Sequence, residues 1–105
     1  MTTLGTLKRG DTFSYCAEIT DNGAPITGIA AYLRSQIRKE YKGLLLSELS
    51  VSETDTPGIY QFKHDGSTQE WPLGRMLVDF EYTIGGVTKS SDTLMLTVIE
   101  DITHD

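Results

Sequence analysis

The run "RMLVDFEYTI", Arg75 to Ile84, is followed at once by "GG" and then by "VTKSSDTLMLTVIE". Met76, Val78, Phe80, Tyr82 and Ile84 alternate with Leu77, Asp79, Glu81 and Thr83, and a period of two puts each set on its own face of a β-strand. Consecutive glycines between two such runs supply the positive φ angles of a two-residue hairpin. The returning strand carries Leu94, Leu96 and Val98 on one face, and a bulge is expected around Ser90–Asp92. This hairpin commits the chain to a sheet.

Shorter segments of the same kind precede it. In "TFSYCAEIT", Phe13, Tyr15, Ala17 and Ile19 share a face, and "DNGAP" then breaks the strand with turn chemistry. "ETDTPG" is a second turn signal. After it, "IYQFKHD" sets Tyr60, Phe62 and His64 on one side of a short strand. The stretch from Ile29 to Leu49 is open to two readings. Ile29, Leu33, Ile37, Tyr41, Leu45 and Leu49 recur every four residues, and each such step overshoots a helical turn by roughly 40°. The steps of three that would correct this meet polar residues such as Gln36 and Glu40, and Gly43 interrupts the centre. The spacing favours two strands, about Ile29–Arg38 and Leu44–Ser52, joined by "KEYKG"; a single helix is the alternative. With about seven strands and turns at this spacing, the chain reads as one all-β domain, an antiparallel sandwich rather than a closed barrel. Residues 1–6 and 101–105 read as flexible or interface-forming tails.

The charge balance, fifteen acids against nine bases, argues against a protein that neutralises nucleic-acid phosphates. No apolar run approaches the roughly 18–20 residues of a membrane-spanning helix. "MTTLGTLKRGDTF" lacks the apolar centre of a signal peptide, so synthesis in the cytosol without standard export is expected. One cysteine, Cys16, permits no internal disulfide.

The candidate chemistry is sparse. Cys16 stands mid-strand near Ser14 and Glu18 with no base beside it, and reads as inert. His64 and His104 lie at no metal-ligand spacing from each other or from Cys16. Ser67, His64 and Asp65 contain the residue types of a triad, but without a nucleophile elbow or an oxyanion turn. Asp21, Asn22 and Asp55 lack EF-hand spacing and read as Asx turns. No cofactor or metal is expected, and the residues favour a non-enzymatic protein.

Two features suggest contacts with other proteins. "RSQIRKEYK" gathers Arg34, Arg38, Lys39, Tyr41 and Lys42 in an otherwise acidic chain. It reads as a solvated sheet face, with an acidic partner surface as the alternative. "EWPLG" holds the one tryptophan, Trp71, before a proline that cannot donate in a central strand. Trp71 reads as the residue closing one end of the core, with an interface hot spot as the alternative. Leu77 and Leu46 are expected on outward strand faces, where a partner would cover them.

"LKRGDTFSYCAEITDNGAPIT", "AAYLRSQIRKE", "TPGIYQF", "STQEWPLGRMLVDFEYTIGG" and "DTLMLTVIEDIT" together span nearly the whole chain. In this order they resemble the small immunoglobulin-like β-sandwich domains of bacteriophage tail and baseplate structural proteins, such as the N-terminal domain of phage upper baseplate proteins. The resemblance implies an immunoglobulin-like sandwich in a virion component made in the bacterial cytoplasm, with copies of itself or other virion proteins as partners and without nucleic acid or membrane. Upper baseplate proteins continue into further domains, whereas this sequence ends at Asp105. An accessory, connector or decoration role is therefore expected over receptor binding. A free-standing module binding a carbohydrate or host surface through end loops is the alternative, with Tyr41 and Trp71 as its aromatics.

Overall fold

A computed structural model describes residues 2–100. The strands are β1 (Thr2–Lys8), β2 (Ser14–Glu18), β3 (Thr20–Asp21), β4 (Ala24–Pro25), β5 (Leu33–Lys39) and β6 (Leu45–Glu48). They continue with β7 (Ser50–Glu53), β8 (Ile59–Lys63), β9 (Gly74–Ile84), β10 (Val87–Ser90) and β11 (Leu94–Ile99). One sheet has the order β1-β11-β9-β5-β6, with β10 also paired to β9; the other has the order β2-β8-β7. The architecture is an all-β sandwich.

The long hairpin forms as its alternation requires. Ile84 pairs with Val87 across Gly85 and Gly86, whose φ angles are +60° and +80°. The expected bulge is present. Ser90 faces Glu81 while Leu94 faces Val78, so the returning strand carries one extra residue. Ser91 fills the gap: its backbone N–H donates to the Phe80 carbonyl at 2.8 Å, and its Oγ accepts from the Phe80 N–H at 3.0 Å. "DNGAP" closes the β3–β4 hairpin, with Asn22 and Gly23 at φ +51° and +81°.

The ambiguous stretch forms strands, with only a 3-10 turn at Ala30–Tyr32 before β5. Its second strand is broken at Leu49. The Leu49 N–H donates to the Ser35 carbonyl at 2.8 Å and its side chain is buried, so the chain leaves one sheet at β6 and joins the other at β7. A continuous Leu44–Ser52 strand would have kept both halves in one sheet.

Two expectations need correction. Within the expected tail 1–6, residues 2–6 are not flexible but belong to an edge strand, Thr2–Lys8. It runs parallel to β11, whereas every other pairing among the described residues is antiparallel. "TTLGTLK" has no regular alternation, and its partner lies some ninety residues away, so no local signal announces it. Leu46 is not on the outward face. It is the extra residue of a bulge in β6 and packs against the core, while Leu45 takes the outward position beside Arg38. The expected tail 101–105 lies outside the described residues.

An aromatic column joins the two layers. The Tyr15 ring stacks on Phe62 at 4.8 Å, and Phe62 stacks on Phe80 of the facing sheet at 5.2 Å. Beside it runs a buried polar chain. The Tyr15 hydroxyl donates to Ser35 Oγ at 2.8 Å, and Ser35 Oγ donates to the Asp79 carbonyl at 2.7 Å. Burial pushes the Tyr15 phenol up to about 12, above the ordinary value near 10. The unfolded chain releases this proton at lower pH than the folded chain does. The stability contributed by neutral Tyr15 is therefore intact below about pH 10 and falls as pH rises toward about 12. Denaturant midpoints measured from about pH 9 to about pH 12 should decline, and Tyr15→Phe should flatten part of that decline. A level wild-type profile would contradict the burial.

Candidate protein interface

β9 is eleven residues long and faces strands of five or fewer in β2-β8-β7. The overhang decides where apolar side chains remain uncovered. Met76 and Val78 are buried and Phe80 and Tyr82 half-buried, but Ile84, on the same strand face, is 44% exposed because no strand of the other sheet among the described residues reaches it. Val87 across the hairpin is 57% exposed. With Ile26, Tyr82, Asp21 and Lys89 they line an open cleft of about 440 Å³. The Tyr60 hydroxyl anchors the near wall, 2.8 Å from the Ile26 carbonyl and 3.0 Å from the Glu53 carboxylate. Sequence reasoning missed this cleft. The usable signal was the mismatch between one long hairpin and several short strands.

The basic stretch is dispersed. Arg34, Gln36 and Arg38 alternate outward along β5, as strand period requires, and form a chain of polar contacts within their own sheet. Arg34 meets Glu48 with two nitrogens, at 3.0 and 3.4 Å, and Gln36 donates to the same carboxylate at 2.6 Å. Arg38 donates to the Gln36 side-chain oxygen at 2.9 Å and to the Gly43 carbonyl at 3.0 Å. Hydrogen bonds from Arg34 and Gln36 hold the Glu48 carboxyl below its ordinary value, and Glu48 in turn raises the Arg34 guanidinium. Both groups stand in solvent, so the pair adds little to stability. Arg38, Lys39, Leu77 and Asp79 border a shallow depression of about 360 Å³ on this face. Lys39 lies half-buried at the end of β5. Tyr41, 69% exposed, and Lys42 form the tip of the β5–β6 turn, with the ammonium 5.3 Å from the ring centroid.

Trp71 is not beside them on the surface. It is 5% exposed, with its ring 5.7 Å from Phe13 and 5.0 Å from His64. Fully buried Thr68 fastens the corner that delivers it. Its Oγ accepts from the Gly10 N–H at 2.8 Å and donates to the Asp11 carbonyl at 2.7 Å. Burial removes Trp71 from the candidate interface and from any glycan-stacking role.

The paper triad does not assemble. His64 Nε2 donates to the backbone carbonyl of Ser67 at 3.2 Å, and Nδ1 shares a hydrogen bond of 2.7 Å with the Ser47 hydroxyl. Ser67 Oγ accepts from the Gln69 N–H, and the Asp65 carboxylate meets Ser50. His64 is a half-buried strut beneath Trp71. Cys16 is exposed on β2, and His104 lies outside the described residues. Among the described residues no three His, Cys, Asp or Glu side chains gather as metal ligands would. Thr54 caps the turn that holds Asp55, its Oγ accepting from the Thr56 N–H.

The fold and surface define a small all-β sandwich with an apolar cleft at the hairpin end and a self-paired polar sheet face. Neither a protein-family model nor a curated protein matches this chain.

Proposed function

We propose that this chain is a non-enzymatic structural or assembly protein of a bacteriophage or prophage virion, in the tail, baseplate, neck or head decoration. It would act through contacts with other virion proteins and with copies of itself, after synthesis in the host cytoplasm. The observation that carries the contact role is the uncovered apolar cleft at the hairpin end, where Ile84 and Val87 project beyond the facing sheet. The likeness of the strand segments and of the tryptophan corner to phage baseplate domains supports the virion setting. The order β1-β11-β9-β5-β6 over β2-β8-β7 supports an immunoglobulin-like reading of the sandwich, with β1 running parallel to its neighbour.

Co-purification with tail particles, combined with size-exclusion chromatography and light scattering, tests the role. The wild type should associate or enter particles. Ile84→Asp with Val87→Asp should stay folded and lose incorporation at least tenfold, since two charges would have to be buried in the contact. A strictly monomeric wild type that fails to enter particles overturns the proposal.

A further inference from the structure

A sandwich has open strand edges, and an open edge is a template for pairing unless something blunts it. Four edges here are blunted. β1 carries a register shift between Thr3 and Gly5, with Gly5 at φ +104°. β6 is bulged at Leu46. β7 is held against the loop between β4 and β5 through Glu53, which accepts from the Gly28 N–H and from Tyr60. β10 is four residues long and carries Lys89.

β2 has none of these devices. Its register with β8 is unbroken from Ser14 to Glu18, and the strand contains no proline, lysine or arginine. The direction of its free groups follows from its ladder. The His64 N–H donates to the Phe13 carbonyl and the Ile19 N–H to the Gly58 carbonyl, so the odd-numbered residues bond to β8. Ser14, Cys16 and Glu18 therefore turn their N–H and C=O groups to the other side, where no strand of the described residues lies.

We propose that two copies of this chain pair through β2, antiparallel and centred on Cys16, joining the two small sheets into one. This deepens the assembly reading above and rests on it for the existence of a self-contact. In this register Cys16 faces the partner's Cys16, and Ser14 faces the partner's Glu18, so no like charges oppose within β2. The three outward-facing residues on each copy complete each other's ladder. Charge complementarity fixes the choice of a second copy as occupant. Lys63 flanks Ser14 on β8, and the partner's Glu18 arrives on the far side of that small residue. The Lys63 and Glu18 backbones then lie about 9–10 Å apart, two strand spacings, within reach of both extended side chains. The two-fold axis makes this contact twice. Neither residue has an ion-pair partner within the chain among the described residues. Half-buried Ala17 meets the partner's Tyr15 on the inner side, beside a seam of about 160 Å³ between Leu4, Leu7, Phe13 and Tyr15 that opens at this same edge.

Light scattering on the whole chain under reducing conditions, with Glu18→Lys, Lys63→Glu and the double variant, tests this pairing. The wild type should be a dimer. Each single variant should weaken the dimer at least tenfold, and the charge-swapped double variant should recover most of the loss. The substituted side chains are exposed, and circular dichroism checks that each variant is folded. In a separate experiment, mild oxidation should link the wild type through Cys16. Opposed residues of a hydrogen-bonded antiparallel pair stand about 5.5 Å apart at Cα, within disulfide range. A wild-type monomer, or a dimer that ignores both charge reversals and does not link through Cys16, overturns the proposal. A monomer that still enters particles overturns β2 pairing while leaving the assembly role standing. A β2-linked dimer that is excluded from particles does the reverse.

Discussion

Trp71→Ala is expected to lower the free energy of unfolding by about 3–5 kcal/mol, the range for removing a buried large aromatic. The ring fills the end of the core between Phe13 and His64, and its backbone N–H donates to the Thr68 carbonyl at 3.0 Å. Removing it takes the packing partner from both rings and leaves a void beneath a corner that must hold its shape. Gly10 and Asp11 stay tied to Thr68, so the loop does not collapse into the space cheaply. Trp71→Phe keeps part of the volume and should cost clearly less. Urea unfolding followed by circular dichroism measures both, because the variants lose the fluorescent residue itself. A loss under about 1 kcal/mol, or a variant as stable as wild type that loses a partner, would return Trp71 to the surface role that its sequence context also allowed.

Phe62→Ala should cost a similar amount, about 3–5 kcal/mol, for a different reason. Phe62 is fully buried in β8, and its ring lies between Tyr15 of its own sheet and Phe80 of the facing one. The substitution therefore opens the contact between the layers, whereas the tryptophan change opens one end. Phe62→Ala and Phe80→Ala share a contact and should not add; the double variant should cost less than the sum of the singles. Additive losses would mean that the stacked pair does not act as a unit. Stability curves for the three proteins decide this.

The core was largely legible in the sequence because strand period is a local property. Alternation alone grouped Phe13, Tyr15 and Ile19, Tyr60 and Phe62, and Met76 and Val78 on shared strand faces, and all seven are buried. Turn chemistry was equally local. Asn22-Gly23 and Gly85-Gly86 occupy the positive-φ positions that their residue types suggested. Sequence spacing failed where the outcome depended on a neighbour far along the chain. Arg34 and Arg38 formed a basic cluster on paper, but Glu48 and Gln36 engage them across and along the sheet. Ile84 had the period of a core residue, but the facing sheet is too short to cover it.

The sequence by itself determined that the chain is built of strands, which faces are apolar and where two-residue turns fall. These follow from the two-residue period and from the φ restrictions of each residue type. The sequence favoured a core-closing Trp71, and the tertiary structure shows what buries it. The same "EWPLG" corner could have exposed its ring; Thr68, holding Gly10 and Asp11, turns it under Phe13 instead. The tertiary structure also decided the parallel β1–β11 pair, the crossing at Leu49 and the edge of β2 that no other strand of the described residues pairs with. Each of these depends on pairing between segments that no local pattern connects.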